Sequence, residues 1–585
     1  MEMERKGSSS DLVKTSEDVL DGKKGGLKTM PFIIANEALE RLASVGLSAN
    51  MIMYLKNEYH LTNARGQITL FWWGAISNFT PVFGALLSDS YLGRYYVIAL
   101  GTFISFLGMV VLWLTAIIKE ARPHRCKLDS GNCLKPDIGQ LALLLSSFAL
   151  MAIGAGGIRP CSLAFGADQF DNPANPTNGR ILQSFFNWYY ASVCISVLIS
   201  VTVIVYIQTQ FGWVVGFGVP AGLMLLATIF FLLGFGLFIK MKAKKSLLTG
   251  FAQVVAVAWK TKHLSLLPVD SNGWYHHEKD SRFTFPTHKL RFLNKACIIR
   301  NPEKDLNPNG TASDQWNLCT VQQVEEFKAL IKVIPMWSTG IMIAVTLSQH
   351  AFPVLQANTM DRHLNSHFEI PAASYGLFGI ITLTIWIAIY DRILVPWISK
   401  FTKKPRGLTF KQRIGIGLLF SCAAQAVAAL VERERRARAQ NEGLAKNPLS
   451  QVNMSAFWLV PQHCLTGLAE AFNAIGQIEF YYSQFPKSMA SIGVALFSLG
   501  MGFGNVFGSL IVEIVDHVSS KGGRVSWVSN NLNLGHYDYY YWVLCLLSVG
   551  NLFYFIVCGW AYGSDEDTRF WEEDQAEKKG EIVML

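Results

Sequence analysis

Apolar stretches of about 20 residues recur along this chain, and each is long enough to cross the hydrocarbon core of a bilayer. Only 16% of the 585 residues are charged, whereas ordinary soluble domains carry about 25%. The pattern therefore predicts an all-α, polytopic membrane protein. The twelve predicted spans lie near residues 30–55, 69–89, 95–117, 141–163, 185–208, 213–239, 329–352, 371–394, 412–432, 455–482, 489–517 and 540–562.

A long polar segment divides the predicted spans into two groups of six. It begins with Lys240, Lys242, Lys244 and Lys245, and the positive-inside rule places it in the cytosol. Six spans on either side of a cytosolic linker is the layout of rocker-type secondary transporters. The predicted order is a cytosolic tail (1–29), a six-helix bundle (30–239), the linker (240–328), a second six-helix bundle (329–562) and an acidic cytosolic tail (563–585).

Two predicted external loops, 118–140 and 433–454, contain several arginines and disagree with this orientation. We retain it because the basic residues of the predicted cytosolic loops are more numerous. The net charge of +9 lies mainly in loops between spans, which argues against a nucleic-acid partner. Cys126 and Cys133 share the first external loop, so they are candidates for a disulfide. No Cys or His cluster has metal-ligand spacing, and no cofactor is predicted.

Charged residues occur inside the first predicted span, where each costs about 2.5–3.5 kcal/mol on insertion scales. Glu37, Glu40 and Arg41 are three and four residues apart and share one helical face. Two acids and one base leave one negative charge unbalanced, which favours a proton on one carboxyl group. The three residues are therefore a candidate proton-coupling site. The alternative is a buried salt bridge that only fixes helix packing.

The fourth predicted span ends near Arg159 and Pro160, after the closely spaced Gly154, Gly156 and Gly157. Small residues allow close helix approach, and the proline loosens the helix beside the arginine. Arg159 presents a planar fork suited to oxyanions such as nitrate or carboxylate. Alternatively, it is the counter-ion of Glu40 or Glu37.

The second predicted bundle also contains polar residues at membrane depth. Glu470 lies in the tenth span, and Asn473 and Gln477 follow one and two turns further along. In the seventh span, Gln349 and His350 follow a long apolar stretch. We predict that Arg159, Gln349, Glu470, Asn473 and Gln477 bind substrate, while His350 either contacts substrate or packs at the outer end of its span.

The connection between the second and third spans contains Asp89 and Arg94. An ion pair at such a turn can hold two helices together and break when the bundles tilt, so these two residues are candidates for gating. Asp391 and Arg392 lie at the matching connection of the second half, between the eighth and ninth spans. This correspondence is a trace of the internal symmetry of rocker-type transporters. The alternative is a simple positive-inside loop.

Several motifs resemble those of the plant nitrate transporter/peptide transporter family, which belongs to the major facilitator superfamily. They are Glu37-x-x-Glu40-Arg41, Asp89-Ser90-Tyr91-Leu92-Gly93-Arg94, Phe165-Gly166-Ala167-Asp168-Gln169-Phe170-Asp171 and Phe185-Phe186-Asn187-Trp188-Tyr189-Tyr190. The resemblance extends from about residue 28 to 562. It implies a major facilitator fold and proton-coupled symport, with the proton held by the first motif. It also implies that Arg159 takes the place of the family's fourth-span cation, commonly a lysine, and Glu470 that of its tenth-span acid.

Departures from the family pattern bear on the substrate. Leu42, Ser44 and Val45 stand where peptide-transporting members have aromatic residues, which argues against a di- or tripeptide. Leu347 stands where a nitrate carrier of the family has its anion-binding histidine, and Val97 replaces a phosphorylated threonine. The leading hypothesis is a proton-coupled symporter that imports a small anion. Nitrate, transported with low affinity, is the leading candidate for this anion.

Alternative hypotheses are a carrier of organic anions, such as carboxylate hormones or other plant metabolites, and a transport-inactive sensor. A membrane enzyme is not expected, because the spans contain no nucleophile–base set. The predicted partners are a small anionic substrate, protons and the lipid bilayer, with a regulatory kinase as a further candidate. The resemblance favours the plasma membrane, and the vacuolar membrane is the alternative.

Overall fold

The computed structural model describes residues 24–124, 134–170, 178–241, 247–264, 274–277, 286–402, 408–448, 450–486 and 489–563. These residues are mostly helical. The helices are α1 (Met30–Ala49), α2 (Met51–Asn57), α3 (Asn63–Leu87), α4 (Arg94–Ile117), α5 (Ile138–Phe170), α6 (Asn178–Ile199), α7 (Val205–Leu233), α8 (Leu247–Lys260), α9 (Pro302–Asp305), α10 (Val321–Ser338), α11 (Gly340–Leu347), α12 (Ala351–Asn358), α13 (Leu377–Ile389), α14 (Val395–Thr402), α15 (Phe410–Asn441), α16 (Val460–Gln484), α17 (Ala490–Ser519) and α18 (Tyr537–Ala561).

Four short strands among the described residues form two small sheets. They are β1 (Met360–Asp361), β2 (His363–Asn365), β3 (Phe368–Glu369) and β4 (Val452–Ser455). β1 pairs with β4 in parallel, and β2 pairs with β3 in an antiparallel arrangement. Since β1 to β3 follow α12 and β4 precedes α16, the first sheet joins two connections between helices.

Eight helical stretches of the described residues are long and apolar enough to cross a membrane, and the pair Val321–Ser338 and Gly340–Asn358 makes nine if counted as one span. One of the eight, Arg180–Gly236, has 57 residues. A helix of that length would extend about 85 Å, more than twice the ~30 Å of a hydrocarbon core. Gly212 interrupts it with a φ of 79°, so it comprises the predicted fifth and sixth spans.

The predicted first and tenth spans are helical but are not among these stretches. The first is formed by α1 and α2, and α1 alone contains three charged residues, Glu37, Glu40 and Arg41. The tenth is α16, whose apolar character is reduced by residues such as Gln462, His463 and Glu470. Both helices therefore combine the length of a membrane span with polar groups that need partners inside the protein.

Helix α5 extends beyond its predicted end. It continues through Pro160 to Phe170, whereas the sequence suggested that the span ends near the proline. The glycines beside it permit the expected close approach, since a Cβ atom on Gly84 of α3 would overlap the carbonyl oxygen of Gly156. Neighbouring helices can hold a helix together around a proline in this way.

The arginines near residue 435 lie on a helix. The prediction of a loop over residues 433–454 is therefore wrong for its first part, up to Asn441. α15 continues to Asn441 because its Glu, Arg and Ala residues are strong helix formers. Glu434 and Arg438 form an i,i+4 ion pair of 2.8 Å on the surface. Arg435 is instead fully buried and bonds Glu432, so its charge is neutralised locally and is a poor indicator of membrane orientation.

The chain divides into two compact units. The first comprises residues 1–243, 341–474 and 498–553, and the second comprises residues 244–340, 475–497 and 554–585. The second unit includes most of the predicted linker, which has an apolar core of its own. In that core, Val254 and Val257 of α8 pack with Leu293 and Val321. The linker is therefore a folded element in its described residues.

A buried ion pair in the first unit joins α15 to its surroundings. The Arg435 guanidinium donates to both carboxylate oxygens of Glu432 at 2.8 Å, and neither side chain is exposed. It also donates to the side chain of Asn533 at 2.8 Å. Gln356 of α12 donates to the Glu432 carboxylate at 2.7 Å. The charges are thus both paired and hydrogen-bonded, as buried ions require.

We predict that Arg435→Met lowers the free energy of unfolding by about 3–5 kcal/mol, because it leaves the Glu432 carboxylate buried without its counter-ion. Thermal unfolding in detergent measures this effect. The double variant Glu432→Leu/Arg435→Met should recover part of the loss. Arg438→Met on the same helix breaks an exposed ion pair and a cation–π contact of 6.0 Å with Trp458, so a change of at most about 1 kcal/mol is expected. An equal loss in both arginine variants would contradict the prediction.

Candidate functional site

The acids of α1 lie side by side in the interior of the first unit. Glu37 and Glu40 are 1% and 0% exposed. The Arg41 Nε donates to Glu37 Oε1 at 2.9 Å and lies 3.8 Å from Glu40 Oε2. The helical spacing of three and four residues produces this cluster, as the sequence predicted. The roles of the three residues in proton coupling stay a prediction.

Arg159 of α5 joins this cluster from the other side. Its Nη2 lies 3.4 Å from Glu40 Oε1 and 3.3 Å from Ser44 Oγ. With two arginines facing two carboxylates, the cluster is balanced when all four groups are ionised. The expected excess negative charge on α1 therefore disappears once α5 is in place. A proton on Glu40 would leave an excess positive charge on Arg159 and Arg41, which an anion could neutralise.

A cavity of about 510 Å³ adjoins the two arginines. Residues of both predicted bundles line it, and all of them belong to the first unit. From the second bundle it is lined by Gln349, His350, His463 and Glu470, among others. Arg41 and Arg159 are about a quarter exposed, whereas Glu37 and Glu40 lie behind them. The cavity thus has a cationic side backed by carboxylates.

The predicted substrate ligands differ in how they relate to this cavity. The Glu470 carboxylate is exposed to it and, within the described ranges, has no hydrogen-bond or ion-pair partner. Gln349 also lines it, but its amide oxygen accepts from Tyr540 at 3.0 Å and its nitrogen donates to Val345. These two contacts hold the Gln349 side chain in place.

Asn473 and Gln477 are not among the residues that line the cavity. Both are buried, and Gln477 accepts a hydrogen bond from Tyr481 at 3.3 Å. On α16 the lining ends at Glu470. Helical spacing placed these two residues on the right helix, but it could not show how far along that helix the cavity reaches.

Several lining residues were not predicted from the sequence. They include Gln67 and Trp73 of α3, Gln425 of α15, and Gln462 and His463 of α16. His463 could have been found from its spacing, because it precedes Glu470 by seven residues and so lies on the same face of α16. No comparable signal marks Gln67 or Gln425, which become neighbours of the cavity only through helix packing.

The predicted gating arginine has a second and closer partner. Arg94 Nη1 contacts both carboxylate oxygens of Asp168 at 2.7 and 2.9 Å, while its Nε lies 3.6 Å from Asp89. Asp168 is at the end of α5, so the arginine ties the start of α4 to that helix. Asp89 lies in a π-helical turn, Ser88–Leu92. The gating role of Asp89 and Arg94 stays a prediction.

The matching turn in the second half, Tyr390–Leu394, is also π-helical. Its Asp391 and Arg392 form a pair of 3.7 Å that is highly exposed, so it contributes little to stability. The predicted disulfide of Cys126 and Cys133 lies outside the described residues. Among the described residues, no group of three or more His, Cys, Asp or Glu side chains could hold a metal ion.

Comparisons with known proteins agree with this architecture. The model of a family described as the POT family matches residues 95–528. The chain is 54% identical over 548 residues to "Protein NRT1/ PTR FAMILY 1.1" of Arabidopsis thaliana, covering 93% of each chain. It is 52% identical over 551 residues to "Protein NRT1/ PTR FAMILY 1.2" of the same plant, covering 93% of this chain and 91% of the relative.

A solved structure with a similar fold is that of an auto-inhibited POT family peptide transporter. Its TM-score is 0.66 at 18% identity, and the match covers 91% of this chain and 96% of that chain. At this low sequence identity, the structural similarity shows a shared fold and nothing about the substrate. The predicted fold class, an all-α membrane protein with a twelve-helix major facilitator fold, is confirmed, as is the predicted family resemblance.

Proposed function

The chain belongs to the POT family, and on that premise we propose that it is a symporter that uses inward proton flow to import an anion bound at Arg159. Proteins of this family and fold are multi-pass membrane transporters and not enzymes. The observation that carries the proposal is the contact of 3.4 Å between Arg159 and Glu40 at the edge of the cavity. It joins a group that can accept a proton to a group that can bind an anion.

The coupling follows from the charge balance of the cluster. While Glu37 and Glu40 are ionised, they neutralise Arg41 and Arg159, and an additional anion gains little there. A proton on Glu40 frees Arg159 to bind the substrate anion. The loaded carrier is again balanced, so it can change its orientation without carrying a bare charge through the membrane. Loss of the proton to the cytosol restores the Glu40–Arg159 contact and expels the anion.

Nitrate is the first candidate for the substrate, because its planar oxygens match the planar donors of a guanidinium. Organic anions are the second candidate, and the cavity favours them. Its volume of about 510 Å³ lies within the range of about 300–1,000 Å³ that is typical of sites for drug-sized ligands. A single nitrate at Arg159 would leave most of that space to water. On grounds of the family resemblance, we place the symporter in the plasma membrane.

Uptake of labelled substrate in oocytes tests this proposal. At an external pH of about 5.5, labelled nitrate, a labelled carboxylate plant hormone and a labelled dipeptide are applied in turn. Because one proton accompanies one anion, transport carries no net charge, and it is followed as saturable uptake together with acidification of the cytosol. Proton-dependent uptake of nitrate or the carboxylate supports the proposal and identifies the cargo. Uptake of the dipeptide alone would contradict it, and binding without uptake would indicate a sensor instead of a carrier.

A further inference from the structure

Two histidines give the cavity a second polar side that the symport mechanism does not use. His350 lies in the short break between α11, which ends at Leu347, and α12, which begins at Ala351. His463 lies on α16, and both line the cavity together with Arg159. Arg159 and Arg41 belong to the first predicted bundle, and the two histidines belong to the second.

Two hydrogen-bonding atoms on this side have no partner within the described part of the chain. The Nε2 atom of His463 and the Oε1 atom of its neighbour Gln462 are buried and have no hydrogen-bond partner there. Burial of a polar group without a partner is unfavourable. Water or substrate in the cavity would remove this cost, since both residues line it. The packing of the described residues therefore leaves these two atoms unpaired at residues that line the cavity.

The position of His350 also favours contact with a substrate in the cavity. Its side chain is exposed to the cavity, and at its backbone the chain leaves the regular helix. Broken helices at the interface of two bundles are where transporters commonly bind substrates. On α16, His463 and Glu470 are seven residues apart and share one face, about 10 Å apart along the axis. Substrate held at Arg159 would thus face a row of polar groups from the other bundle.

A nitrate ion is compact, because its three oxygens radiate from one atom, and it offers no second polar group to the histidines. An organic anion of moderate length can occupy both sides. We propose that His350 and His463 are specificity-determining residues that hydrogen-bond a second oxygen-bearing group of an organic anion whose acidic group binds Arg159. This inference rests on the proposed function, since it takes the cavity to be the site of the transported anion.

The test compares anions that have one or two oxygen-bearing ends. Uptake at acidic pH is measured in oocytes for nitrate, for butyrate, pentanoate and hexanoate, and for the dicarboxylates succinate, glutarate and adipate of matching length. The wild-type protein should have a KM for its best dicarboxylate at least about tenfold below that for the matching monocarboxylate, as expected for one to two hydrogen bonds. His350→Leu and His463→Leu should each remove most of this preference.

Monocarboxylate or nitrate uptake in the same variants serves as the control for folding, and it should be unchanged. Cys464→Ala, next to His463 but not among the lining residues, should keep the wild-type preference. His463→Gln and His350→Gln retain a hydrogen-bonding group and should therefore keep part of the preference for dicarboxylates. They also test the inference if a leucine variant fails to fold. An unchanged ratio of KM values in the histidine variants, or a wild-type protein without preference, would overturn the inference. If no anion were transported at all, the proposed function itself would be wrong.

Discussion

Glu40→Gln is expected to abolish uptake driven by a pH gradient while leaving the exchange of substrate across the membrane largely intact. Glu40 is fully buried and is the one carboxylate of the cluster that contacts both Arg159, at 3.4 Å, and Arg41, at 3.8 Å. Glutamine has nearly the same shape but cannot lose or take up a proton. The variant therefore resembles a permanently protonated carrier, in which Arg159 is always free to bind the anion.

The measurement has two parts. Accumulation of labelled substrate under an inward pH gradient should fall by at least about tenfold, which corresponds to about 1.4 kcal/mol of lost coupling. Counterflow, in which labelled substrate exchanges with unlabelled substrate at equal pH, needs no proton transfer and should continue. Glu37→Gln should show the same separation, since Glu37 bonds Arg41 at 2.9 Å within the same cluster.

A matched control is Glu434→Gln, because Glu434 is an acid of the same size that lies exposed on α15, where it pairs with Arg438. It should leave both measurements unchanged. Surface expression must be compared for all three variants, since removal of one member of a buried ion cluster can cost about 3–5 kcal/mol of stability. Full accumulation by both Glu37→Gln and Glu40→Gln at normal expression would remove the coupling mechanism.

Arg159→Gln is expected to weaken substrate binding strongly, in addition to its effect on proton coupling. The arginine is about a quarter exposed, at the cavity, and apart from Glu40 and Ser44 its hydrogen-bonding capacity is unused, since its Nε atom donates to no described residue. A charged hydrogen bond contributes about 1.5–3 kcal/mol, so loss of the fork should raise the substrate Kd by about 10–100-fold. Substrate-induced thermal stabilisation of the purified protein measures this change without requiring transport.

Arg159→Lys separates charge from geometry. Lysine keeps the positive charge but presents a single ammonium group in place of a planar fork, so binding should be weakened less than in Arg159→Gln. Arg392→Gln, at a highly exposed position outside the cavity, is the control and should bind substrate normally. Normal stabilisation of Arg159→Gln by substrate would show that the anion binds elsewhere. In contrast to Glu40→Gln, the Arg159 variants should lose counterflow as well as accumulation.

The sequence was informative where a property depends on neighbours along the chain. Apolar length is a local property, so the predicted spans recur as helices, including those that Gly212 separates. The cluster of Glu37, Glu40 and Arg41 follows from helical spacing alone. Helix ends were less accurate, because α5 passes through Pro160 and α15 continues into its arginine-rich segment. In both cases, packing and local pairing outweigh the signal of a single residue.

The sequence by itself thus determined that the protein is a helical membrane protein and that its first span contains an ionisable cluster. Only the tertiary structure decided which charges meet. Arg159 neutralises Glu40 across 119 positions, and Arg94 prefers Asp168, 74 positions away, to nearby Asp89. The same holds for the cavity, which Asn473 does not line but His463 does. The reason is physical: burial makes an ion depend on its nearest counter-ion in space, and helix packing, which no local pattern encodes, places that partner.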